Sequence, residues 1–326
     1  MAHLDNVKAI LVVLVVVGHA IEALRGRAPE GLYAAIYSFH MPAFVLLSGY
    51  LSRNWEPDAR RLRVLVGTLA LPFMIFQVLL GAEFALLTGT AFPRDLATPR
   101  GATWFLLALM WWRLGTPVLR ALRHPVACTL VVAVALPLDP NVGSLLAIGR
   151  TAGLVPFFAL GMVLRPRVFE WLGWRAVRGV AWVALAGIVA GGLMWGWRID
   201  RGFLYHRAAY DADDGLWTSM AIRLAALAIG LVGAAAITAI ASRRRRWYTV
   251  VGVNSLSVYL VHLVVLQAAR WVEPAAGILR GDGGVGVTAA VVGAGVALAL
   301  ALGTARVTRA TAWLVHPARG SAWLVR

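Results

Sequence analysis

Three histidines stand inside apolar stretches of the sequence, where an ionisable side chain is costly to bury. His19 ends the run AILVVLVVVGH, His40 lies within YSFHMPAFVLLSGYL, and His262 lies within VNSLSVYLVHLVV. An imidazole changes its charge near neutral pH and can serve as a general base or as a nucleophile. Ionisable groups buried in a membrane usually mark a functional site, so these three residues are the first candidates for chemistry.

The composition shows which elements must position these histidines. Of 326 residues, 60% are hydrophobic and 14% are charged, and apolar runs recur along the whole chain. Each run is long enough to cross roughly 30 Å of hydrocarbon as a helix. We therefore expect an all-α, polytopic transmembrane helical bundle that forms a single integral membrane domain over residues 1–326. The ten expected spans are 7–24, 33–51, 62–88, 103–119, 125–138, 151–165, 177–197, 219–241, 249–270 and 284–304.

The basic residues indicate how the chain crosses the membrane. The net charge is +16, but the Lys and Arg residues lie between the apolar runs and are concentrated on the side that holds both termini. The positive-inside rule therefore places both termini in the cytoplasm. The same placement is a topology signal rather than a nucleic-acid-binding surface, so no nucleic-acid partner is expected.

With that orientation, the three histidines lie at one depth. At a rise of about 1.5 Å per residue, His19, His40 and His262 lie roughly 7 to 12 Å below the outer surface. Three separate helix-to-helix hydrogen bonds would explain each residue alone, but a shared depth favours one hydrated site. Glu22 follows His19 by three residues on the same helical face and could orient its imidazole, or could face the membrane surface.

A second group of polar residues lies on the cytoplasmic side. Lys8 precedes His19 by eleven residues, about 16 Å along the helix axis. The segment DARRLR supplies Arg60, Arg61 and Arg63 at the start of the third expected span. Such a cluster often only fixes topology, but guanidinium groups also bind phosphate bidentately. A phosphate-bearing ligand held here would suit a group that is carried part-way across the membrane.

Five segments of the sequence together resemble a known family. In chain order they are LDNVKAILVVLVVVGHA, SFHMPAFVLLSGYL, TWFLLAL, RTAGLVPFFALGMVL and GVNSLSVYLVH. They resemble successive segments of the acyltransferase family 3 integral membrane proteins, the second in the form found in fucose 4-O-acetylase-like members. The resemblance spans nearly the whole chain, with polar residues in register.

This resemblance implies an O-acyltransferase, usually an acetyl-CoA-dependent O-acetyltransferase, in the plasma membrane of a bacterium. A succinyl or longer acyl donor stays open, as does an N-linked product. Its acceptor would be a carbohydrate or glycoconjugate of the cell envelope at the outer face. Lys8 and His19 take the places of the family's basic residue, more often Arg, and its essential histidine. The other matching residues are His40, Arg60, Arg61, Arg63, Arg150, Asn254, Ser255, Tyr259 and His262.

A mechanism follows from these residues and leaves two routes open. His19 would act as the general base on the acceptor hydroxyl, or as a covalent acyl acceptor. Glu22 or His40 would set its tautomer, and His40, Asn254 or Arg150 would stabilise the oxyanion. The expected catalytic set is His19, His40, Glu22, Asn254 and His262, and the expected set for binding acyl-CoA is Lys8, Arg60, Arg61, Arg63 and Arg150.

Two other classes of protein fit the composition. A proton-coupled solute transporter would use similar intramembrane ionisable residues, although no inverted repeat is visible. A non-catalytic assembly subunit would use the polar residues only to hold helices together. We expect no permanently bound cofactor and no metal site. The expected partners are acyl-CoA as donor, a carbohydrate or glycolipid acceptor, and membrane lipids.

Overall fold

The structure, a computed structural model, describes residues 2–139, 145–206, 209–210, 215–272, 275–280 and 283–317. Its longer elements in these ranges are all α-helices, which confirms the predicted fold class. The helices are α1 (Ala2–Ile21), α2 (Arg27–Ser52), α3 (Ala59–Leu65), α4 (Leu71–Thr88), α5 (Trp104–Leu114), α6 (Thr116–Ala121), α7 (Pro125–Ala135), α8 (Ile148–Val163), α9 (Pro166–Leu172), α10 (Arg175–Trp195), α11 (Arg201–Leu204), α12 (Leu216–Ile240), α13 (Thr249–Val253), α14 (Ser255–Ala269), α15 (Ala275–Arg280), α16 (Val285–Leu302), α17 (Ala305–Ala310) and α18 (Ala312–Val315).

The chain divides into two compact units, which are described separately below. The first unit contains Met1–Pro29, Pro57–Met110 and Arg243–Arg326. The second contains Glu30–Glu56 and Trp111–Ser242. A single domain over the whole chain stays a prediction.

Seven helices in the described part of the chain are long and apolar enough to cross a membrane. They are Ala2–Ile21, Arg27–Ser52, Ala59–Thr88, Leu145–Val163, Arg175–Arg198, Leu216–Ile240 and Val285–Leu302. The third comprises α3 and α4, which are joined without a break by a π-helical turn at Val66–Ala70. Pro125–Leu138 and Ser255–Ala269 are shorter apolar helices. The predicted spans all fall on helical segments, so the chain is a polytopic helical membrane protein. The count of ten and the cytoplasmic termini stay predictions.

Large apolar side chains face outward from these helices, as contact with lipid requires. On α10, Val180, Trp182 and Val183 are 69%, 59% and 73% exposed. An aqueous solvent would penalise so much exposed apolar surface, whereas hydrocarbon does not. The outward faces therefore agree with the membrane assignment made from composition.

Two predicted spans are interrupted by a turn residue. The ninth consists of α13 and α14, with a break at Asn254, whose backbone leaves the helical region. Its side-chain Nδ2 donates to the carbonyl of Gly303 at 2.9 Å. The fourth is divided into α5 and α6 at Gly115. Hydropathy stays high across the break at Asn254, which is why the sequence predicted a continuous helix there.

In the first unit, glycines let the helix backbones approach closely. A Cβ atom on Gly252 of α13 would lie 1.7 Å from the carbonyl oxygen of Asp5 in α1. Gly295 of α16 similarly faces Val17 of α1 at 3.3 Å. Such small-residue contacts are the usual means of packing helices in membranes. They hold α1 between α13 and α16.

In the second unit, glycines likewise allow α2 to pack closely against its neighbours. A Cβ atom on Gly49 would lie 2.1 Å from the carbonyl oxygen of Phe158, and one on Gly161 would lie 2.0 Å from that of Leu46. The pair packs α2 against α8 backbone to backbone. Pro42, which lies inside α2, places its ring against Gly230 of α12.

Candidate active site

The first unit brings two of the three predicted histidines into direct contact. His19 lies near the end of α1, and His262 lies in the middle of α14. The Nε2 atom of His262 is 3.3 Å from Nδ1 of His19, and the ring centroids are 5.2 Å apart. His262 is fully buried, whereas His19 is half-buried. His19 is therefore the member of the pair that a substrate can reach.

Backbone carbonyls assign the tautomers of both rings. Nδ1 of His19 lies 2.9 Å from the carbonyl oxygen of Val15, and Nδ1 of His262 lies 2.9 Å from that of Val258. A carbonyl oxygen only accepts hydrogen bonds, so each Nδ1 carries the proton. In the neutral form, the single Nδ1–H of His19 is then shared between the carbonyl oxygen of Val15 and, at the longer distance, Nε2 of His262. The basic lone pair of His19 is consequently on Nε2.

Arg270 joins the backbone of His19 to the side chain of Glu22. Its Nη2 atom donates to the carbonyl oxygen of His19 at 2.8 Å and to Oε2 of Glu22 at 2.8 Å. Arg270 follows the last residue of α14, the helix that carries His262. Glu22, which the sequence predicted as an orienting group for the imidazole, is thus ion-paired with Arg270.

Tyr259 and a loop segment form one side of the histidine pair. The Tyr259 ring lies 6.0 Å from the ring of His262 in an edge-on arrangement, and its hydroxyl donates to the carbonyl of Ala102.

The loop that contains Ala102 is held to α4 by Gln77, which is fully buried. Gln77 Nε2 donates to the carbonyls of Leu96 and Thr98, and its Oε1 accepts from Arg100 N and Thr103 Oγ1.

With this geometry in place, comparison with known proteins identifies the family. The family model described as "Acyltransferase domain" matches residues 1–306, most of the chain. The chain belongs to acyltransferase family 3. The resemblance drawn from the sequence is thereby confirmed.

One curated family relative is the Nodulation protein NolL of Sinorhizobium fredii (strain NBRC 101917 / NGR234). It is 30% identical over 187 residues, which cover 51% of this chain and 49% of the relative. The chain therefore spans about half the length of this relative. No solved structure matches the chain.

Two other predicted site residues, Lys8 and Asn254, lie in the first unit but away from the imidazole pair. Lys8 is eleven residues before His19, which is close to three full turns, so both lie on one face of α1 about 16 Å apart. Its Nζ pairs with Asp5 at 2.8 Å. Asn254 lies about 12 Å along the helix from His262, and its amide binds Gly303. The structure does not bring Asn254 to the imidazole pair.

The predicted arginine cluster lies at the start of α3. Arg60 and Arg63 are exposed, and Arg61 is half-buried. Asp58 caps the helix by accepting from the backbone N–H of Arg61 at 2.7 Å, and its other oxygen lies 3.4 Å from Nε of Arg61. The cluster is thus fixed at a helix start and presents guanidinium groups at the surface of the unit.

His40 and Arg150 lie in the second unit. His40 is buried, its Nδ1–H donates to the carbonyl of Ile36 at 2.8 Å, and its ring is edge-on to Tyr37 at 4.6 Å. It therefore has the same tautomer as His19 and His262. Arg150 places its Cζ 4.5 Å from the ring centre of Tyr205. The predicted roles of both residues at a common site stay predictions.

Arg270 and Gln77 are the residues that sequence analysis missed. Arg270 comes at the end of a predicted span, where a basic residue reads as a topology signal. The sequence did hold a signal, because an arginine on the predicted outer side runs against the positive-inside bias. Gln77 was passed over as one polar residue within an apolar run.

Proposed function

We propose that this protein is a membrane-embedded O-acyltransferase in which Nε2 of His19 activates the acceptor hydroxyl. The observation that carries the proposal is the orientation of the histidine pair. Nδ1–H of His19 bonds to Val15 and faces Nε2 of His262 at 3.3 Å, so the proton is on Nδ1 and the lone pair is on Nε2. A half-buried imidazole in this tautomer is suited to take a proton from a hydroxyl group.

In direct transfer, His19 removes the proton of the acceptor hydroxyl as its oxygen attacks the thioester carbonyl. The new ester C–O bond forms, the C–S bond breaks, and the proton on Nε2 passes to the departing thiolate of CoA. While His19 carries the positive charge, its Nδ1–H bond to His262 becomes charge-assisted and stronger. His262 thus stabilises the charged intermediate without touching substrate.

A covalent route uses the same pair. Nε2 of His19 attacks the thioester, CoA leaves as a thiolate, and an acylated imidazolium forms. Nε2 of His262 lies where it can accept the Nδ1 proton and so neutralise the acylated ring. The acceptor hydroxyl then attacks the acyl carbonyl, the ester C–O bond forms and the C–N bond to His19 breaks. His262 returns its proton to Nδ1 of His19, and the hydroxyl proton passes to solvent, where it balances the proton that the CoA thiolate takes up. The pair supports either route.

We assign the donor as acyl-CoA, with acetyl as the acyl group. Lys8 lies on the same face of α1 as His19, and the cluster Arg60, Arg61 and Arg63 at the start of α3 offers guanidinium groups suited to phosphate. Lys8 provides a single ammonium rather than a bidentate fork. The acceptor is proposed to be a hydroxyl of a carbohydrate or glycoconjugate at the outer face.

The test is acyl transfer by a protein that lacks only the proposed base. His19→Ala and wild type are compared for release of CoA thiol from acetyl-CoA and for base-labile acetyl esters on envelope glycans and secreted metabolites of complemented cells. We expect His19→Ala to lose both. The control is His124→Ala, which removes an exposed histidine at the start of α7 and should leave both unchanged. Full activity of a folded His19→Ala protein would overturn the proposal.

A further inference from the structure

The last carbonyls of α1 lie next to the proposed base and must be bonded from outside the helix. Helix α1 ends at Ile21, and the last four carbonyls of an α-helix have no partner within the helix. His19 supplies one of these carbonyls. Nη2 of Arg270 fills it at 2.8 Å. An arginine from another helix therefore caps the residue whose imidazole is proposed to react.

Glu22 holds the capping guanidinium in place. Its Oε2 lies 2.8 Å from the same Nη2 atom that bonds the His19 carbonyl. The side chains of Arg270 and Glu22 are 35% and 26% exposed. A half-buried, charge-assisted pair is screened less by solvent than a surface pair, so it restrains Arg270 more firmly.

The same contacts fix the positions of α1 and α14 along their axes, and so the height at which the two imidazoles face each other. Arg270 caps α14, where its own N–H bonds to the carbonyls of Leu266 and Gln267. It therefore ties the end of α1 to the helix that carries His262. The Nδ1–Nε2 separation of 3.3 Å is already near the long limit for a hydrogen bond. A slip of one residue, about 1.5 Å, along either helix would break it.

We propose that Arg270 is a positioning residue: by capping the His19 carbonyl while held by Glu22, it keeps Nδ1–H of His19 on Nε2 of His262. This inference rests on the proposed function only in naming His19 as the base. Arg270 bonds the backbone carbonyl of His19 and the side chain of Glu22, and on this proposal it does not contact the substrate. Its effect reaches the reaction through the orientation of the imidazole pair.

Three variants separate the carbonyl contact from a plain ion pair. Arg270→Lys keeps a charged donor for both the His19 carbonyl and Glu22. Arg270→Gln removes the ion pair with Glu22 and has a shorter side chain, so its amide N–H lies farther from the His19 carbonyl. The exchange Glu22→Arg with Arg270→Glu restores the ion pair but leaves at position 270 a group that cannot donate to the carbonyl. Arg94→Gln, an exposed arginine of the same unit, is the matched control.

The first measurement does not depend on activity. Solid-state NMR of the ¹⁵N-histidine-labelled protein in lipid should show Nδ1-protonated His19 correlated with Nε2 of His262 in wild type, Arg270→Lys and Arg94→Gln. His19→Ala and His262→Phe assign the signals. We expect Arg270→Gln and the exchanged pair to lose the correlation. Its persistence in folded Arg270→Gln would overturn the proposal.

The second measurement is the steady-state rate with acetyl-CoA as the donor. Misplacement of a catalytic group lowers turnover, so Arg270→Gln should reduce kcat about 10²-fold and change KM for acetyl-CoA by less than about twofold. Arg270→Lys should retain most of kcat, and the exchanged pair should not recover it. Full recovery in the exchanged pair would show a purely structural ion pair and overturn the proposal.

The two measurements also separate this proposal from the proposed function. If wild type shows the imidazole correlation but transfers no acyl group, the reaction assignment fails and the positioning of the pair stands. If wild type is active and Arg270→Gln keeps both the correlation and kcat, the positioning role fails and the reaction assignment stands. Should Arg270→Gln fail to fold, Arg270→Lys and the exchanged pair decide the question.

Discussion

Nε2 of His262 lies 3.3 Å from Nδ1 of His19 and shares its proton with the Val15 carbonyl, although the two histidines are 243 positions apart in the chain. Each Nδ1 is also fixed by the carbonyl four residues earlier, at Val15 and at Val258. The two rings therefore form a directed pair in which protons point from His19 toward His262. The half-buried member of the pair, His19, therefore carries its lone pair on Nε2.

Removing the hydrogen-bond acceptor nitrogen of His262 should lower the turnover number while acetyl-CoA still binds. His262→Phe keeps a ring in the buried position but offers no acceptor to Nδ1–H of His19. We expect kcat for acetyl-CoA-dependent transfer to fall about 10²-fold, with little change in KM. His262→Gln, whose amide oxygen can stand near the place of Nε2, should retain about a tenth of the wild-type kcat or more. Equal losses in the two variants would contradict the acceptor role.

Removing charge from the arginine cluster should weaken donor binding. The double variant Arg60→Gln with Arg61→Gln retains the backbone N–H that Asp58 caps but loses two guanidinium groups. We expect the apparent KM for acetyl-CoA to rise about tenfold, because exposed charge-assisted contacts contribute modestly. Arg123→Gln, an exposed arginine predicted on the same side, should not change KM. An unchanged KM in the double variant would show that the cluster only fixes the membrane topology and does not bind the donor.

A methyl group at Gly252 should disrupt the packing of α13 on α1. The added Cβ would lie 1.7 Å from the carbonyl oxygen of Asp5, so one helix must move. We expect Gly252→Ala to destabilise the protein by about 3 kcal/mol and to lower its Tm in detergent by at least about 5 °C. Gly187→Ala, where a Cβ atom meets nothing within 4 Å, should leave Tm unchanged or slightly higher. Similar Tm values for the two variants would contradict this close approach.

A buried histidine outside the spans should make stability depend on pH. Burial, with Arg223 nearby, lowers the pKa of His206 from 6.5 to about 3. The unfolded chain therefore takes up a proton at higher pH than the folded chain. The contribution to stability is complete above about pH 6.5 and is lost as pH falls toward 3, at about 1.4 kcal/mol per pH unit.

The measurement is unfolding at pH 7 and at pH 5 for wild type and for His206→Asn. Asn tolerates the positive φ of 53° at this position. Between pH 7 and pH 5, the free energy of unfolding of the wild type should fall by about 2 kcal/mol more than that of the variant. His124→Asn, which replaces an exposed histidine, should behave as wild type. A parallel loss in wild type and His206→Asn would show that His206 is not responsible.

Much of the fold followed from one-dimensional information. Apolar runs of membrane length predicted helices, because backbone groups in hydrocarbon must be satisfied within the segment. The spans predicted at 7–24 and 284–304 correspond to α1 and α16 within a few residues. The break at Asn254 was not predictable in this way, because it depends on a hydrogen bond to Gly303, 49 residues later.

For the candidate site, the sequence by itself determined which residue types lie where along each span. It placed His19 and His262 at one depth and predicted the family, since both follow from spacing and order along the chain. Only the tertiary structure decided that the two rings touch, that Nε2 of His19 is the basic nitrogen, and that Arg270 caps the His19 carbonyl. Hydropathy fixes depth, but it carries no information about which helices are neighbours or which way a ring points. Those properties arise from close packing at positions such as Gly252 and Gly295, and so they exist only in three dimensions.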